Sequence, residues 1–146
     1  MRLITTFLST MALFLTCCHG HDHPNDQHSL ADTHFLNYQK LKIDNPDTAL
    51  VELKVHAKIV FKSHPKSVEW AEMASRLDRA GKSSLPDMQL FNQIVLDIEM
   101  GNNASPNKIQ KLQDDLDTWK EIERELKDDG IDPTTYFLKF KLARKK

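Results

Sequence analysis

The stretch that decides the fold runs from Ser105 to Gly130 and reads SPNKIQKLQDDLDTWKEIERELKDDG. Its large apolar residues recur three or four positions apart: Ile109, Leu112, Leu116, Trp119, Ile122 and Leu126. Because an α-helix turns once every 3.6 residues, this spacing places all of them on one face. Ser105 followed by Pro106 is typical of a helix start, and Gly130 is typical of a helix end. The sequence therefore predicts one long amphipathic helix here.

Similar signals predict a helix immediately before it. The hydroxyl of Ser84 can cap a helix start, with Asp87 three residues later completing an acidic form of the capping box. The expected buried stripe runs up to Gly101 and consists of Leu90, Phe91, Ile94, Val95 and Ile98.

Earlier and later segments predict four further helices. The first carries Phe35, Leu36, Leu41 and Ile43 and ends near Asp44. The second starts at the Asn45 cap with Pro46 and stops around His64-Pro65, because proline disfavours helix in the residue before it. The third carries Trp70, Ala74 and Leu77 and ends at Gly81. A last short helix begins at Pro133 and carries Tyr136, Phe137, Phe140 and Leu142.

These patterns favour the all-α class. No stretch alternates apolar and polar residues with period two, and the chain has only four glycines, so we expect no sheet. We predict a small bundle of five to six short helices, arranged as a simple bundle or as paired helical hairpins. A single helical domain is expected over residues 34–146.

The first twenty residues, MRLITTFLSTMALFLTCCHG, have the composition of a secretory signal peptide: one basic residue, a short apolar run and small residues at the end. We favour cleavage after Gly20, which would remove both cysteines. The alternative is lipidation, because Leu15-Thr16-Cys17-Cys18 resembles the lipobox of bacterial lipoproteins, with Cys18 as the acylated residue. We therefore expect a secreted protein, or alternatively one anchored by lipid in a bacterial envelope. No transmembrane segment is expected.

Residues 21–33 are rich in histidine and polar side chains, which predicts a flexible leader. His21, His23 and His28 have a spacing that can present imidazoles to zinc or copper. A polar spacer without metal is the alternative interpretation.

Charge argues against nucleic acid as a partner. The chain has 20 basic and 21 acidic residues, and loss of Arg2 with the signal would leave a net charge of −2. Binding to DNA or RNA usually requires a surplus of positive charge.

The stretch VEWAEMASRLDRAGKSSLPDMQLFNQIVLDIE, residues 68–99, resembles an EF-hand of the calmodulin superfamily. In the register that starts the twelve-residue loop at Asp78, Leu85 stands at the aliphatic eighth position and Gln89 at the twelfth. The resemblance implies two helices flanking a loop that binds calcium through oxygen atoms. An ordinary helical hairpin whose turn starts with aspartate is the alternative.

The loop departs from the ligand pattern of this family. Ala80 and Lys82 occupy the third and fifth positions, Ser83 replaces the glycine of the turn, and Gln89 replaces the bidentate glutamate. The resemblance therefore implies weak calcium binding or none at Asp78 and Gln89. A second unit would start at Asp44, and LKDDGIDPTTYFLKF near the end is similar to the exit of such a loop.

The sequence contains none of the catalytic motifs GxSxG, P-loop or HExxH, so we expect a protein that is not an enzyme. The leading hypothesis is a secreted helical module, built on degenerate EF-hand units or on ordinary helical hairpins, that binds a protein partner through an apolar groove between helices. Most large aromatic side chains are expected in the core, and the candidate contact residues, where one of them is exposed, are Trp70, Phe91, Trp119, Tyr136 and Phe137. The alternative is an envelope lipoprotein whose histidine leader captures metal. Asn103-Ala104-Ser105 is a glycosylation sequon, relevant only in a eukaryotic host.

Overall fold

The computed structural model describes residues 25–138, and their side chains from His28 onwards. Over this range the chain is almost entirely helical, which confirms the predicted all-α class. The elements in chain order are α1 (Asn25–Leu41), α2 (Pro46–Val60), α3 (Ser67–Ala80), β1 (Ser83–Ser84), α4 (Leu85–Gly101), α5 (Pro106–Asp128), a 3₁₀ turn (Pro133–Thr135) and β2 (Phe137–Leu138).

The helix starts follow from side-chain caps that the sequence signals predicted. Asn45 accepts a hydrogen bond from the Thr48 amide at the start of α2. Ser84 and Asp87 form a complete capping box at the start of α4. Each cap satisfies backbone N–H groups that have no partner within the helix, which stabilises the helix by about 1 kcal/mol.

Helix α1 begins earlier than predicted, at Asn25 instead of near Phe35. Residues 25–33 of the expected flexible leader are therefore helical. The physical reason is a stripe formed by Ala31, Phe35 and Tyr38, which are spaced for one helix face and are all buried. His21 and His23 lie outside the described residues.

The expectation of no sheet and of a last short helix is wrong for the described residues. After the 3₁₀ turn, Phe137–Leu138 forms β2 and pairs antiparallel with β1, with Ser83 opposite Leu138 and Ser84 opposite Phe137. Tyr136 and Leu138 pack against the core while Phe137 is exposed. This alternation is the period of a strand, but it is too short to read from the sequence. Phe140 and Leu142 lie outside the described residues.

Helix α2 also ends earlier than predicted, at Val60. Lys62 and Ser63 both have positive φ angles, 50° and 58°, so the chain leaves the helix before His64-Pro65. The Ser63 amide donates back to the Lys58 carbonyl, which closes the helix end in the manner of a Schellman motif.

The core is centred on α4. One cluster joins α4 to the other helices through Trp70, Leu77, Phe91, Ile94 and Ile98, among others. A second, smaller cluster lies between α4 and α5 and contains Leu96, Leu112 and Leu116. Leu90, which we expected in the buried stripe, is instead half exposed.

The carboxyl end of α4 packs against the turn between α2 and α3. The Asn102 side chain donates to the Phe61 carbonyl over 3.0 Å. The imidazole of His64 lies so close to Gly101 that a Cβ atom at position 101 would overlap it. Nδ1 of this ring accepts from the Lys66 amide, which fixes its orientation. Only glycine fits at position 101 unless the ring moves.

We expect Gly101→Ala to lower the free energy of unfolding by about 1 kcal/mol, because the cost of overlap exceeds the gain in helix propensity. In a His64→Ala background the same substitution should instead stabilise the protein, since the overlap is gone. Urea denaturation of the wild type, the two single variants and the double variant measures both effects. A destabilising Gly101→Ala in both backgrounds would contradict this account of the contact.

Candidate functional site

The five aromatic residues proposed as partner contacts do not share one environment. Trp70, Phe91 and Trp119 are buried, with exposed fractions of 2%, 6% and 5%. Side chains buried in the core offer little surface to a partner. Tyr136 is half-buried against the same core, and Phe137 is 54% exposed. The surface contributed by this set therefore centres on Phe137.

Phe137 is held in a defined position despite its exposure. It is the first residue of β2 and lies opposite Ser84 in the antiparallel pair. Its neighbours on both sides, Tyr136 and Leu138, pack against the core and fix the backbone at this point. The Lys82 ammonium lies 4.6 Å from the centre of the Phe137 ring, which is within the range of a cation–π interaction.

Ile131 adds apolar surface to the same carboxyl-terminal segment, since it is 44% exposed. It follows the end of α5, where its amide donates to the Leu126 carbonyl. Pro133 of the 3₁₀ turn is buried, and Asp132 caps that turn by accepting from the Thr134 amide. The connection between Ile131 and Phe137 is therefore an ordered turn that is attached to the core. We call Ile131, Phe137 and Lys82 the sheet-end surface.

Asp78, a predicted metal ligand, is engaged by other groups. One of its carboxylate oxygens, Oδ2, accepts from the Tyr38 hydroxyl and from the Lys42 ammonium, each over 2.7 Å. The Asp78 side chain is 7% exposed and that of Lys42 is 16% exposed, so this is a largely buried ion pair. Burial, followed by the hydrogen bond to Asp78, raises the pKa of Tyr38 well above its ordinary value. The network joins the ends of α1 and α3.

Gln89, the other predicted loop ligand, is bonded to a different part of the molecule. Its side-chain amide donates to the Glu123 carboxylate over 2.7 Å and lies within 3.4 Å of the Trp119 carbonyl. Asp78 and Gln89 thus bond to different helices, Asp78 to Tyr38 of α1 and Gln89 to Glu123 of α5. In the described part of the chain, no three histidine, cysteine, aspartate or glutamate side chains are grouped as a metal ion would require.

His34 and His56 serve the packing of α1 against α2. His34 Nδ1 lies 2.7 Å from the Glu52 carboxylate, and this hydrogen bond lowers the pKa of Glu52. His56 Nδ1 lies 2.7 Å from the Ala31 carbonyl. Both bonds hold α1 against α2. His28, the one predicted leader ligand that the structure describes, is exposed near the start of α1.

Asn103 is exposed in the turn between α4 and α5 and has a φ angle of 55°. The sequon is thus presented on the surface, as a glycosylation site requires. The structure gives Asn103 a conformational role as well, because it occupies the left-handed position that ends α4.

Sequence reasoning missed two arrangements. One is the Tyr38, Lys42 and Asp78 network, whose only sequence signal is the spacing of Tyr38 and Lys42 on one helix face. The other is the strand pair that positions Phe137. Leu85 is fully buried as the first residue of α4, directly after the predicted Ser84 cap.

No protein-family model, no curated protein and no solved structure matches this chain. None of the helices in the described part of the chain combines the length and apolar character needed to cross a membrane.

We expect Lys42→Met to lower the free energy of unfolding by about 2 kcal/mol, because it leaves the Asp78 charge buried without its cation. Adding Asp78→Asn should recover part of this loss, since asparagine still accepts from Tyr38. The matched control is Lys54→Met, which breaks a pair with the exposed Glu72 and should cost about 0.5 kcal/mol or less. Urea denaturation measures all four proteins. Equal losses for Lys42→Met and Lys54→Met would contradict the role given to burial.

Proposed function

We propose that this chain is an exported, non-enzymatic helical module that binds a protein partner through the sheet-end surface. The observation that carries the proposal is Phe137, a large aromatic side chain that is 54% exposed although its neighbours fix its backbone. An aromatic residue fixed before binding loses little conformational entropy when a partner covers it. Such residues often dominate the energy of protein interfaces.

The chemistry around Phe137 favours a protein over a nucleic acid as the partner. Lys82 lies over the ring, so an apolar and a cationic group are combined at this point, and Ile131 is a further exposed apolar residue of the same segment. A partner with an apolar pocket and a nearby carboxylate would satisfy both. The slight negative charge of the whole chain argues against a phosphate backbone.

Export is the second part of the proposal and is supported by the sequence of residues 1–20. The apolar run followed by small residues is typical of a cleaved signal, and cleavage after Gly20 would leave a chain without cysteine. The helical domain described above would then have no disulfide and would depend on its core for stability.

The mature amino terminus tests export directly. We expect intact-mass and peptide mass spectrometry of the protein from its producing cells to show a chain that begins at His21. A diacyl or triacyl group on Cys18 would contradict this expectation and would support the lipid-anchored alternative. An intact Met1 on most of the protein would contradict both.

Photo-crosslinking tests the contact surface. A benzophenone amino acid at position 137 of the mature chain should give a discrete cross-linked product with material from the producing organism, and the same label at Leu36, an exposed residue of α1, should not. Excess wild-type protein should compete the product away, whereas Phe137→Ala should compete at least about tenfold less well, as expected for a central contact residue. Equal competition by the two proteins would exclude Phe137 as the contact, provided that circular dichroism shows both to be folded.

A further inference from the structure

The Asp87 carboxylate links the end of α3 to the start of α4. Its Oδ1 accepts from Nη2 of Arg76 over 2.9 Å, and its Oδ2 accepts from the Ser84 amide over 3.2 Å. The Asp87 amide in turn donates to the Ser84 hydroxyl over 3.4 Å. Arg76 belongs to α3, Ser84 to β1 and Asp87 to the first turn of α4. The three residues therefore tie together every element of the hairpin.

The charge state of Asp87 suits this role. Partial burial acts to raise the pKa of Asp87, but the hydrogen bonds from Arg76 and Ser84 outweigh burial and hold the pKa below its ordinary value. The carboxylate is therefore ionised at neutral pH and attracts the Arg76 guanidinium. The start of α4 favours the same negative charge.

The backbone of the hairpin fixes how its loop should be numbered. Gly81 has a φ angle of 67° at the end of α3, and the strand residues Ser83 and Ser84 follow it. An EF-hand loop requires glycine at its sixth position for the sharp turn and a carboxylate at its twelfth. If Gly81 is sixth, then Arg76 is first and Asp87 is twelfth. The loop then starts two residues earlier than in the register that begins at Asp78. In the register that starts at Arg76, the first five positions belong to the end of α3 and the last three to the start of α4, and the first and twelfth residues bond to each other.

We propose that the Arg76 guanidinium replaces a divalent cation in this hairpin. The positive charge of this side chain holds α3 and the start of α4 together without metal. In a calcium-loaded loop, the first and twelfth residues both contribute oxygen ligands to the ion. Here the first residue contributes the cation itself. Asp78, third in this register, accepts hydrogen bonds from Lys42 and Tyr38. Ala80 at the fifth position has no side-chain ligand atom. The ion pair between Arg76 and Asp87 does not depend on whether Phe137 binds a partner.

Amide hydrogen exchange of β1 and β2, followed by NMR, tests the closure. Arg76→Gln removes the charge, and we expect protection in the two strands to fall about fivefold, as for loss of a partly exposed ion pair. Arg124→Gln is the matched control, because it breaks an exposed pair with Glu121 on α5 and should leave the strands unchanged. Unchanged protection in Arg76→Gln would overturn the proposal.

Thermal unfolding with and without calcium distinguishes a guanidinium that replaces a metal ion from an ordinary surface ion pair. The thermal midpoint of the wild-type protein should be the same with calcium as with a chelator, since the position is occupied by Arg76. Arg76→Asp places two carboxylates opposite each other, so it should lower the midpoint, and calcium should restore much of the loss with a Kd on the order of 10⁻³ M. Sodium chloride at matched ionic strength should not restore the thermal midpoint of Arg76→Asp. Stabilisation of the wild-type protein by calcium, or no specific recovery of Arg76→Asp, would overturn the proposal.

Discussion

Burial of α4 around most of its circumference is the constraint on which the other elements depend. Its residues enter both apolar clusters, Ile94 and Ile98 on one side and Leu96 on another. The unpaired backbone groups at both ends of such a helix need hydrogen-bond partners from neighbouring residues, because little of the helix faces water. The Ser84 and Asp87 capping box satisfies the start, and contact with the α2–α3 turn fixes the end. The sheet-end surface is located relative to α4 through β1, which immediately precedes it.

Local signals account for the parts of the fold that the sequence predicted. Asn45, Ser84 and Ser105 begin helices because their side chains bond to nearby backbone amides, and this chemistry depends only on neighbouring residues. The apolar period of α5 is equally local. Features decided by residues far apart in the chain were not predictable in this way. The strand character of Phe137 depends on pairing with Ser84, more than fifty positions away. The early start of α1 depends on burial of Ala31 against other helices.

The candidate site likewise combines features that the sequence predicted with features that depend on packing. The sequence singled out Phe137 and Tyr136 among five aromatic residues, but it could not distinguish them from Trp70, Phe91 and Trp119. All five lie in segments that the sequence predicted as helices, and only the packing of the elements decides which side chains remain at the surface. The partners of Asp78 depend on packing in the same way. In the sequence this aspartate stands at the start of a calcium-loop pattern, but in the structure its carboxylate is bonded to Lys42, which follows the end of α1.

The burial of both tryptophans has a consequence for how this protein can be observed. The chain contains two tryptophans, Trp70 and Trp119, and both belong to the larger apolar cluster. Their indole rings are shielded from water in the native state, so loss of that shielding shifts the emission to longer wavelength. Intrinsic fluorescence therefore follows the integrity of the central packing without an added label. Events confined to the small Leu96 cluster or to the surface around Phe137 would leave this optical signal nearly unchanged.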